Sequence, residues 1–241
     1  MNDAPTLAPS EARRWMATMV ASLADNKAAL GRRYAEWAVS APTLESAVGA
    51  AAMAQDELGH ARSTYPVLKS LGVEGVDEET RFGGDRRFPL LDEEFADWPT
   101  FIAANLVLDG TLATFVAACE SSSVTQLSQR ARKILQEEGS HRVHAEAWAR
   151  RLCAARGSDR DHLVAMVERC WQQASCWLGP DGEDGREQAL AAGLIDLDAG
   201  AQREMMRTWL TETFEPAGVQ LQLSPCGDWS NWDPERRRTV R

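Results

Sequence analysis

Two copies of a Glu-x-x-His motif are the residues of this sequence best suited to chemistry. The first is Glu57 with His60, and the second is Glu138 with His141. Residues three apart on an α-helix share a face, so each pair can direct one carboxylate and one imidazole to the same metal ion. Mixed carboxylate and imidazole ligation suits iron or manganese better than zinc or calcium. The motifs therefore predict a centre of two metal ions, either iron or manganese.

An acidic residue precedes each motif glutamate. Asp56 and Glu137 are placed to accept a hydrogen bond from a ligand histidine, which would fix its tautomer and orientation. The alternative for these two residues is a solvated acid. For the motifs as a whole, the alternative is a pair of exposed helix faces with incidental ion pairs, but the alanine-rich stretch from residue 48 to 54 indicates burial beside the first motif.

These motifs need long helices to position them, and the sequence predicts an all-α chain. Alanine-rich, charge-studded segments dominate, Gly or Pro interrupts them, and no strand pattern is found. The predicted bundle helices run from about Ser10 to Ala38, from Pro42 to Gly72, from Trp98 to Ser122 and from Thr125 to Arg156. The charged, Gly-rich residues 73–97 form a long connection, which suits two successive parallel helices. We therefore expect a ferritin-like four-helix bundle with a long crossover between its second and third helices.

The rest of the chain is predicted to extend the bundle. Residues 157–241 should add C-terminal helices and an irregular tail to a bundle of about residues 10–156, so that residues 1–241 form a single ferritin-like domain. Trp171, Trp177 and Trp209 are expected to pack these helices onto the bundle. The arginines near the chain end are expected to be a solvated basic tail, with a contact to an acidic partner as the alternative.

The other two bundle helices should each contribute one carboxylate to the metal centre. Partners in an antiparallel helical hairpin lie at equal distances from the turn. With a turn near residue 123, this rule selects Asp109 as the partner of Glu138. With a turn near residue 41, it selects Asp25 as the partner of Glu57.

Glu36 is the rival of Asp25 on the first helix. It lies only six residues before Pro42, a length of chain that reaches at most about 22 Å when fully extended. That reach is too short for Glu36 to return to the level of the metals, so we expect it to pair with Arg32 or Arg33.

Charge and composition narrow the classes of function. The chain has 26 Lys and Arg against 36 Asp and Glu, a net charge of −10, which argues against nucleic-acid or anionic-membrane partners. No apolar run approaches the ~18 residues that a membrane span needs, and no signal-peptide pattern begins the sequence, so we expect a cytoplasmic protein. The five cysteines form no Cys-x-x-Cys pair, which predicts neither disulfides nor a zinc site.

With these residues in view, the chain resembles the phenylacetic acid catabolic family, the ferritin-like subunits of the multicomponent phenylacetyl-CoA epoxidase, a monooxygenase. The resemblance covers most of the chain and is carried by ADNKAALGRRYAEWAVSAPTLE, AAAMAQDELGHARSTY, LVLDGTLATF and KILQEEGSHR. That family contains a catalytic di-iron subunit and a related structural subunit that has lost ligands. LGRRYAEW resembles the structural subunit, whereas QDELGH and EEGSH resemble the catalytic one.

The resemblance implies five of the six ligands of a di-iron site. These are Glu57, His60, Asp109, Glu138 and His141. An ungapped alignment on Trp37 and on residues 41–44 places Lys27 where the first glutamate of the family belongs. Either Asp25 compensates for this lysine or the site is asymmetric.

The resemblance also implies partners and a reaction. An oxygenase component would use O2 to oxidise an aromatic acyl-CoA such as phenylacetyl-CoA, with electrons from a separate reductase and a related ferritin-like subunit beside it in a homo- or hetero-oligomer. A non-catalytic scaffold subunit is the second hypothesis, favoured by Lys27. Iron storage or peroxide removal is the third, disfavoured by the added C-terminal helices.

Overall fold

The computed structural model describes residues 10–72, 86–155 and 157–240. Four long helical segments in these ranges form the predicted bundle, and the all-α, ferritin-like fold class is confirmed. They are α1 (Glu11–Trp37), α2 (Leu44–Thr64), the composite segment of α4 (Trp98–Ala103) and α5 (Gly110–Ala118), and α6 (Thr125–Ala155). A short helix, α3 (Val67–Ser70), follows α2 after Pro66. The second bundle helix therefore ends at Thr64, earlier than the predicted Gly72.

Side-chain caps fix where three of the bundle segments begin. Ser10, Thr43 and Asp97 each accept a hydrogen bond from the backbone N–H three residues later, at 3.4, 3.2 and 2.8 Å. Such caps satisfy one of the four N–H groups that a helix leaves free at its N-terminus. The local sequence thus fixes the first residue of each of these helices, and with it the position of every later residue along the helix axis.

The third bundle segment contains a π-helix, which no pattern in the sequence predicts. Residues Ala104–Asp109 form this π segment between α4 and α5. The whole stretch Trp98–Ala118 is long and apolar enough to cross a membrane by length and composition, which corrects the expectation that no such run exists. Most of its most apolar window, 83%, is buried inside the protein. It is therefore the core helix of the bundle.

The helix directions agree with a ferritin-like crossover. Along α2 and α6, Gly49 lies against His144 while Glu57 lies beside Glu138, so the two helices are antiparallel. α5 and α6 form a hairpin through residues 119–124, so α2 runs parallel to the α4–α5 segment. Of the predicted crossover, residues 73–85 lie outside the described residues. The remainder includes a 3-10 turn, Pro89–Asp92.

The C-terminal part adds three helices to the bundle. They are α7 (Ser158–Leu178), α8 (Asp184–Ala191) and α9 (Ala199–Phe214). Trp171 and Trp177 are fully buried, and Trp177 Nε1 donates a hydrogen bond to Ser22 Oγ on α1 at 2.8 Å. Trp209 on α9 packs over Gly110, where a Cβ would lie 2.5 Å from its ring. Trp177 and Trp209 thus lie between the added helices and the bundle, whereas the packing of Trp171 onto the bundle stays a prediction.

The tail departs from the prediction in three respects. Trp232–Asp233 and Arg238–Thr239 form a short antiparallel pair of strands, β1 and β2. Arg237 is buried rather than solvated, and its guanidinium pairs with Glu183 at 2.5 Å. Cys176 of α7 forms a disulfide with Cys226 of the tail. The expectation of no disulfide is therefore wrong, because two cysteines 50 residues apart carry no sequence signal of their pairing.

Candidate functional site

Four of the predicted ligands converge in the centre of the bundle. Glu57, Asp109, Glu138 and His141 are buried, and each offers a ligand atom such that all four atoms lie within 4.8 Å of one another. The set draws on α2, the end of the π segment and α6. By donor chemistry and spacing, this cluster could bind a metal ion.

Lys27 of α1 extends into the middle of this cluster. Its Nζ lies 3.0 Å from Glu57 Oε1, 2.6 Å from Asp109 Oδ1 and 2.5 Å from Glu138 Oε1. The Lys27 side chain is fully buried. An ammonium group has three N–H donors, so each donor has one carboxylate acceptor.

The charges of the lysine and the three carboxylates depend on one another. Burial alone would lower the pKa of Lys27, but Asp109, Glu138 and Glu57 raise it well above its ordinary value. Burial alone would raise the pKa of Glu57, but Lys27 and the two histidines outweigh burial and hold it below its ordinary value. The pKa of Glu138 is raised by burial and by the neighbouring Asp109 carboxylate. Lys27 is thus held as a cation by the carboxylates around it.

His60 links the cluster to an acid on the opposite helix. Its Nδ1 lies 3.5 Å from Glu57 Oε1 and 3.4 Å from Glu138 Oε1, and its Nε2 donates to Glu137 Oε2 at 2.8 Å. Burial alone would lower the pKa of His60, but Glu138 and Glu57 raise it to about 9. The imidazole is therefore charged at neutral pH.

His141 has the matching arrangement from α6. Its Nδ1 donates to Asp109 Oδ2 at 3.1 Å and lies 3.3 Å from Glu57 Oε1, while its Nε2 donates to Asp56 Oδ2 at 3.3 Å. Burial alone would lower its pKa, but Asp109 and Glu57 raise it to about 11. Each histidine thus contacts the acidic residue of the other motif: His60 contacts Glu137, and His141 contacts Asp56. The sequence did not specify this crossed pairing.

Two further polar side chains surround Asp109. Tyr34 donates its hydroxyl to Asp109 Oδ2 at 3.4 Å, and Asn105 donates its amide to the same oxygen at 3.3 Å. Asn105 and Asp109 both belong to the π segment, a local widening that is frequent at functional sites. Burial, followed by the charge of Asp109, raises the pKa of Tyr34 well above its ordinary value. Neither residue belongs to a motif, so no pattern in the sequence indicates that they lie at the site.

Asp25 lies elsewhere on α1. Its Oδ1 accepts from Tyr65 at 2.6 Å, and its Oδ2 accepts from Arg86 at 2.7 Å. Side chains two positions apart on an α-helix point in directions that differ by about 200°. Asp25 and Lys27 therefore cannot both face the carboxylate cluster. The equal-height rule therefore selected the right level of α1 but not the right face.

Glu36 lies near the end of the same helix. Both of its carboxylate oxygens accept from Arg33, at 2.9 and 3.0 Å. The pair agrees with the prediction that Glu36 binds Arg32 or Arg33 because it lies too far along α1 to reach the carboxylate cluster.

A two-metal centre does not fit this arrangement. An ion bridged by the three carboxylates would take the place of the Lys27 ammonium, which already binds one oxygen of each. Two ligand atoms still lack a hydrogen-bond partner among the described residues, namely Glu57 Oε2 and His60 Nδ1. The donor set is thus largely retained, while the central position is filled by a cation of the chain itself.

A cavity of about 300 Å³ adjoins the cluster. Asp109, Glu138 and His141 line its inner end, and Met206 and Trp209 of α9 contribute to its apolar wall. The C-terminal helix α9 therefore helps to form a cavity that touches the cluster.

A family model described as "Phenylacetic acid catabolic protein" matches residues 1–238. No curated protein matches the chain.

Proposed function

Because the chain belongs to the phenylacetic acid catabolic protein family, we propose that it is the non-catalytic, metal-free ferritin-like subunit of a cytoplasmic multicomponent oxygenase. In this proposal a related chain holds the di-iron centre, receives electrons from a reductase and oxidises an aromatic acyl-CoA such as phenylacetyl-CoA. The observation that carries the proposal is the triple contact of the Lys27 ammonium with Glu57, Asp109 and Glu138.

Electrostatics supports a structural role for this contact. Three carboxylates buried in one core would repel one another and resist ionisation without a cation. In a di-iron protein the metal ions supply that positive charge, whereas here Lys27 and the two charged histidines supply it. The bundle can therefore keep the shape of the catalytic fold without binding metal.

Displacing Lys27 would be costly. Its side chain is fully buried, and leaving a buried charge without its partner costs about 3–5 kcal/mol. A metal ion entering the cluster would have to overcome both this cost and the repulsion of the ammonium group. We therefore expect the wild-type chain to bind iron poorly.

Metal content tests the proposal. The chain is purified anaerobically, incubated with ferrous iron, desalted and analysed for bound iron, in parallel with Lys27→Glu, which installs the family's first glutamate. We expect wild type to retain well under one iron per chain and Lys27→Glu to retain substantially more. A wild type that retains about two irons per chain, the complement of a carboxylate-bridged centre, would refute the proposal.

Lys27→Glu places a fourth carboxylate in the core, so its folding must be checked. Circular dichroism with and without ferrous iron serves this purpose, and Lys27→Met provides a second variant without an added acid. If iron stabilises both variants but not wild type, Lys27 is the element that excludes metal. If iron stabilises wild type to the same extent, the proposal fails.

A second function, the oxygenase component itself, is favoured by a different observation. Glu57 Oε2 and His60 Nδ1 have no hydrogen-bond partner among the described residues, and the cavity beside the cluster opens onto Asp109 and Glu138. In this alternative Lys27 would withdraw when metal binds. It predicts that the reduced, iron-loaded wild-type chain changes its optical spectrum on exposure to O2.

A further inference from the structure

The disulfide between Cys176 and Cys226 is accessible to small molecules, whereas the three free cysteines are not. Cys119, Cys153 and Cys170 are free but buried. Burial raises the pKa of each of these three thiols, so they stay protonated and unreactive at neutral pH. Cys176 and Cys226 are only half-buried, and both line a cavity of about 390 Å³. Thiol chemistry on the folded chain is therefore directed to this disulfide.

The walls of this cavity suit a peptide-like small molecule. Gln172 and Gln173 of α7 line it, together with Asp228 and Arg238 from the end of the chain. The side-chain oxygen of Gln173 accepts from the Leu90 N–H at 2.9 Å, which leaves its NH2 group to donate to a ligand. The volume lies within the range of about 300–1,000 Å³ that is typical of small-molecule sites. Amide, guanidinium and carboxylate groups around a disulfide can bind the polar groups of a low-molecular-weight thiol.

The tail, residues 219–240, has almost no core of its own. Arg237 is the only buried residue among them, and β1 with β2 is their only regular structure. Val219, Leu221 and Leu223 are partly buried against the rest of the protein. The tail is therefore held mainly by two anchors, which are the disulfide and the inserted Arg237 side chain.

Both anchors attach to the last turns of α7. Beside the disulfide, the backbone N–H of Cys226 donates to Ser175 Oγ at 2.8 Å. Arg237 donates to the carbonyls of Trp177 and Leu178 at 3.1 and 3.0 Å. The backbone of Arg237 has φ 56°, a left-handed conformation that non-glycine residues rarely adopt and that persists only where the surroundings hold it. Breaking the disulfide would therefore weaken the second anchor as well.

The end of α7 keeps other partners when the tail leaves. Arg186 donates to the Leu178 carbonyl and lies 3.6 Å from Glu183. Arg203 donates to the Gly179 carbonyl at 2.7 Å. The C-terminal carbonyls of α7 thus remain capped, and Glu183 keeps a cation beside it. The bundle can therefore stay folded with the tail attached or released.

We propose that this disulfide is a thiol-exchange site at which a low-molecular-weight thiol of the glutathione class reversibly releases the tail. The thiolate of the small molecule attacks Cys176 Sγ, a mixed disulfide forms there, and Cys226 leaves as a thiolate that takes up a proton. Cys226 is the leaving group because Cys176 lies in the last turn of α7, where the helix dipole disfavours a negative charge. A second thiol attacks the small-molecule sulfur of the mixed disulfide and frees Cys176. The two thiols supply both electrons and become one small disulfide.

The proposed location agrees with this chemistry. Disulfides of cytoplasmic proteins are usually transient or redox-sensing rather than structural, because the glutathione pool keeps thiols reduced. The inference is independent of the carboxylate cluster and holds whether or not that cluster binds metal. It goes beyond the proposed function by giving the C-terminal tail a redox-dependent state.

Reduced glutathione added to the native full-length protein tests the proposal. After alkylation, mass spectrometry should find label on Cys176 and Cys226 but not on the three buried cysteines. Hydrogen exchange of residues 219–240 should become at least about tenfold faster, because local opening sets the protection of an amide, while the bundle helices are unchanged. Oxidised glutathione should restore the protection. A disulfide that is reduced only in denaturant, or a tail whose exchange is the same after reduction, would overturn the proposal.

Three variants separate release of the tail from simple reduction. Cys226→Ser should exchange rapidly in the tail without any thiol and should form a stable mixed disulfide at Cys176 with oxidised glutathione. Cys153→Ser, which removes a buried free thiol, is the matched control and should respond to glutathione as wild type does. Arg237→Ala removes the second anchor and should shift the equilibrium with glutathione toward the reduced form by at least about threefold, since coupled anchors favour each other. An equilibrium that Arg237→Ala leaves unchanged would contradict a tail that leaves as a unit.

Discussion

Replacing Lys27 by Met tests most directly what holds the centre of this protein together. Methionine has a similar length and volume, so the substitution removes the ammonium group and leaves little cavity. Glu57, Asp109 and Glu138, now 3.0, 2.6 and 2.5 Å from Nζ, would lose their shared cation. We expect a large loss of stability that depends on pH.

The expected loss of unfolding free energy in Lys27→Met follows from the burial of the Lys27 ammonium group. Removing one partner of a buried ion pair costs about 3–5 kcal/mol, and the three contacts share one cation, so their costs do not add. Whole domains are stable by only about 5–15 kcal/mol. At pH 8 we therefore expect Lys27→Met to lose about 3–5 kcal/mol of unfolding free energy, a large fraction of the total.

The pH dependence has a definite sign. In wild type the pKa of Glu57 is held below its ordinary value. The contribution of Glu57 to folding stability is therefore present at pH values above its ordinary pKa and is lost as the pH falls below it. In Lys27→Met we expect burial without the shared cation to raise the pKa values of the carboxylates, so that the folded variant takes up protons and loses stability as pH rises. The deficit of the variant should therefore be largest at pH 8 and smaller near pH 5.

Urea unfolding followed by circular dichroism, with chelator present, measures the difference at both pH values. Lys133→Met is the matched control, because Lys133 forms an exposed pair with Glu137 on α6 and should change stability by less than about 1 kcal/mol. If Lys27→Met is as stable as wild type at pH 8, the carboxylates are not held by Lys27, and the proposal of a metal-free centre is refuted.

Three other predictions concern packing, the tail and acid stability. Gly110→Ala should destabilise the fold by about 1–3 kcal/mol by overpacking against Trp209, seen as a lower urea midpoint. Cys226→Ser opens a disulfide of sequence separation 50 and should cost about 2–4 kcal/mol; reductant should lower the Tm of wild type but not of the variant. Burial lowers the pKa of His144 to about 4, so wild type should lose stability as pH falls from about 6.5 to 4, by at most ~3 kcal/mol. His144→Phe should lack that part of the loss, and identical acid unfolding curves would contradict it.

The Glu-x-x-His spacing predicted which residues of α2 and α6 face inward, because side chains three apart on a helix project from one side. Equal distance from a turn also predicted Asp109. Both inferences use only helix geometry along one element or one hairpin. They therefore required no knowledge of how the other helices pack.

The π segment and the paired cysteines could not be inferred in the same way. The π segment, which ends at Asp109, interrupts the regular α-helix. No residue type in that stretch predicts the interruption. Cys176 and Cys226 meet because the tail folds back on α7, a contact between parts of the chain that are distant in sequence.

The sequence by itself determined the bundle, its caps and most of the acidic and histidine residues in its centre, since these follow from local periodicity. The resemblance of the sequence to the family also implied that Lys27 stands where a glutamate of the family belongs. Only the tertiary structure decided what that lysine does, because the rotation of α1 about its own axis turns Lys27 toward the carboxylates and Asp25 toward Arg86. That rotation is fixed by packing against α2, α8 and the core, which no spacing within α1 encodes.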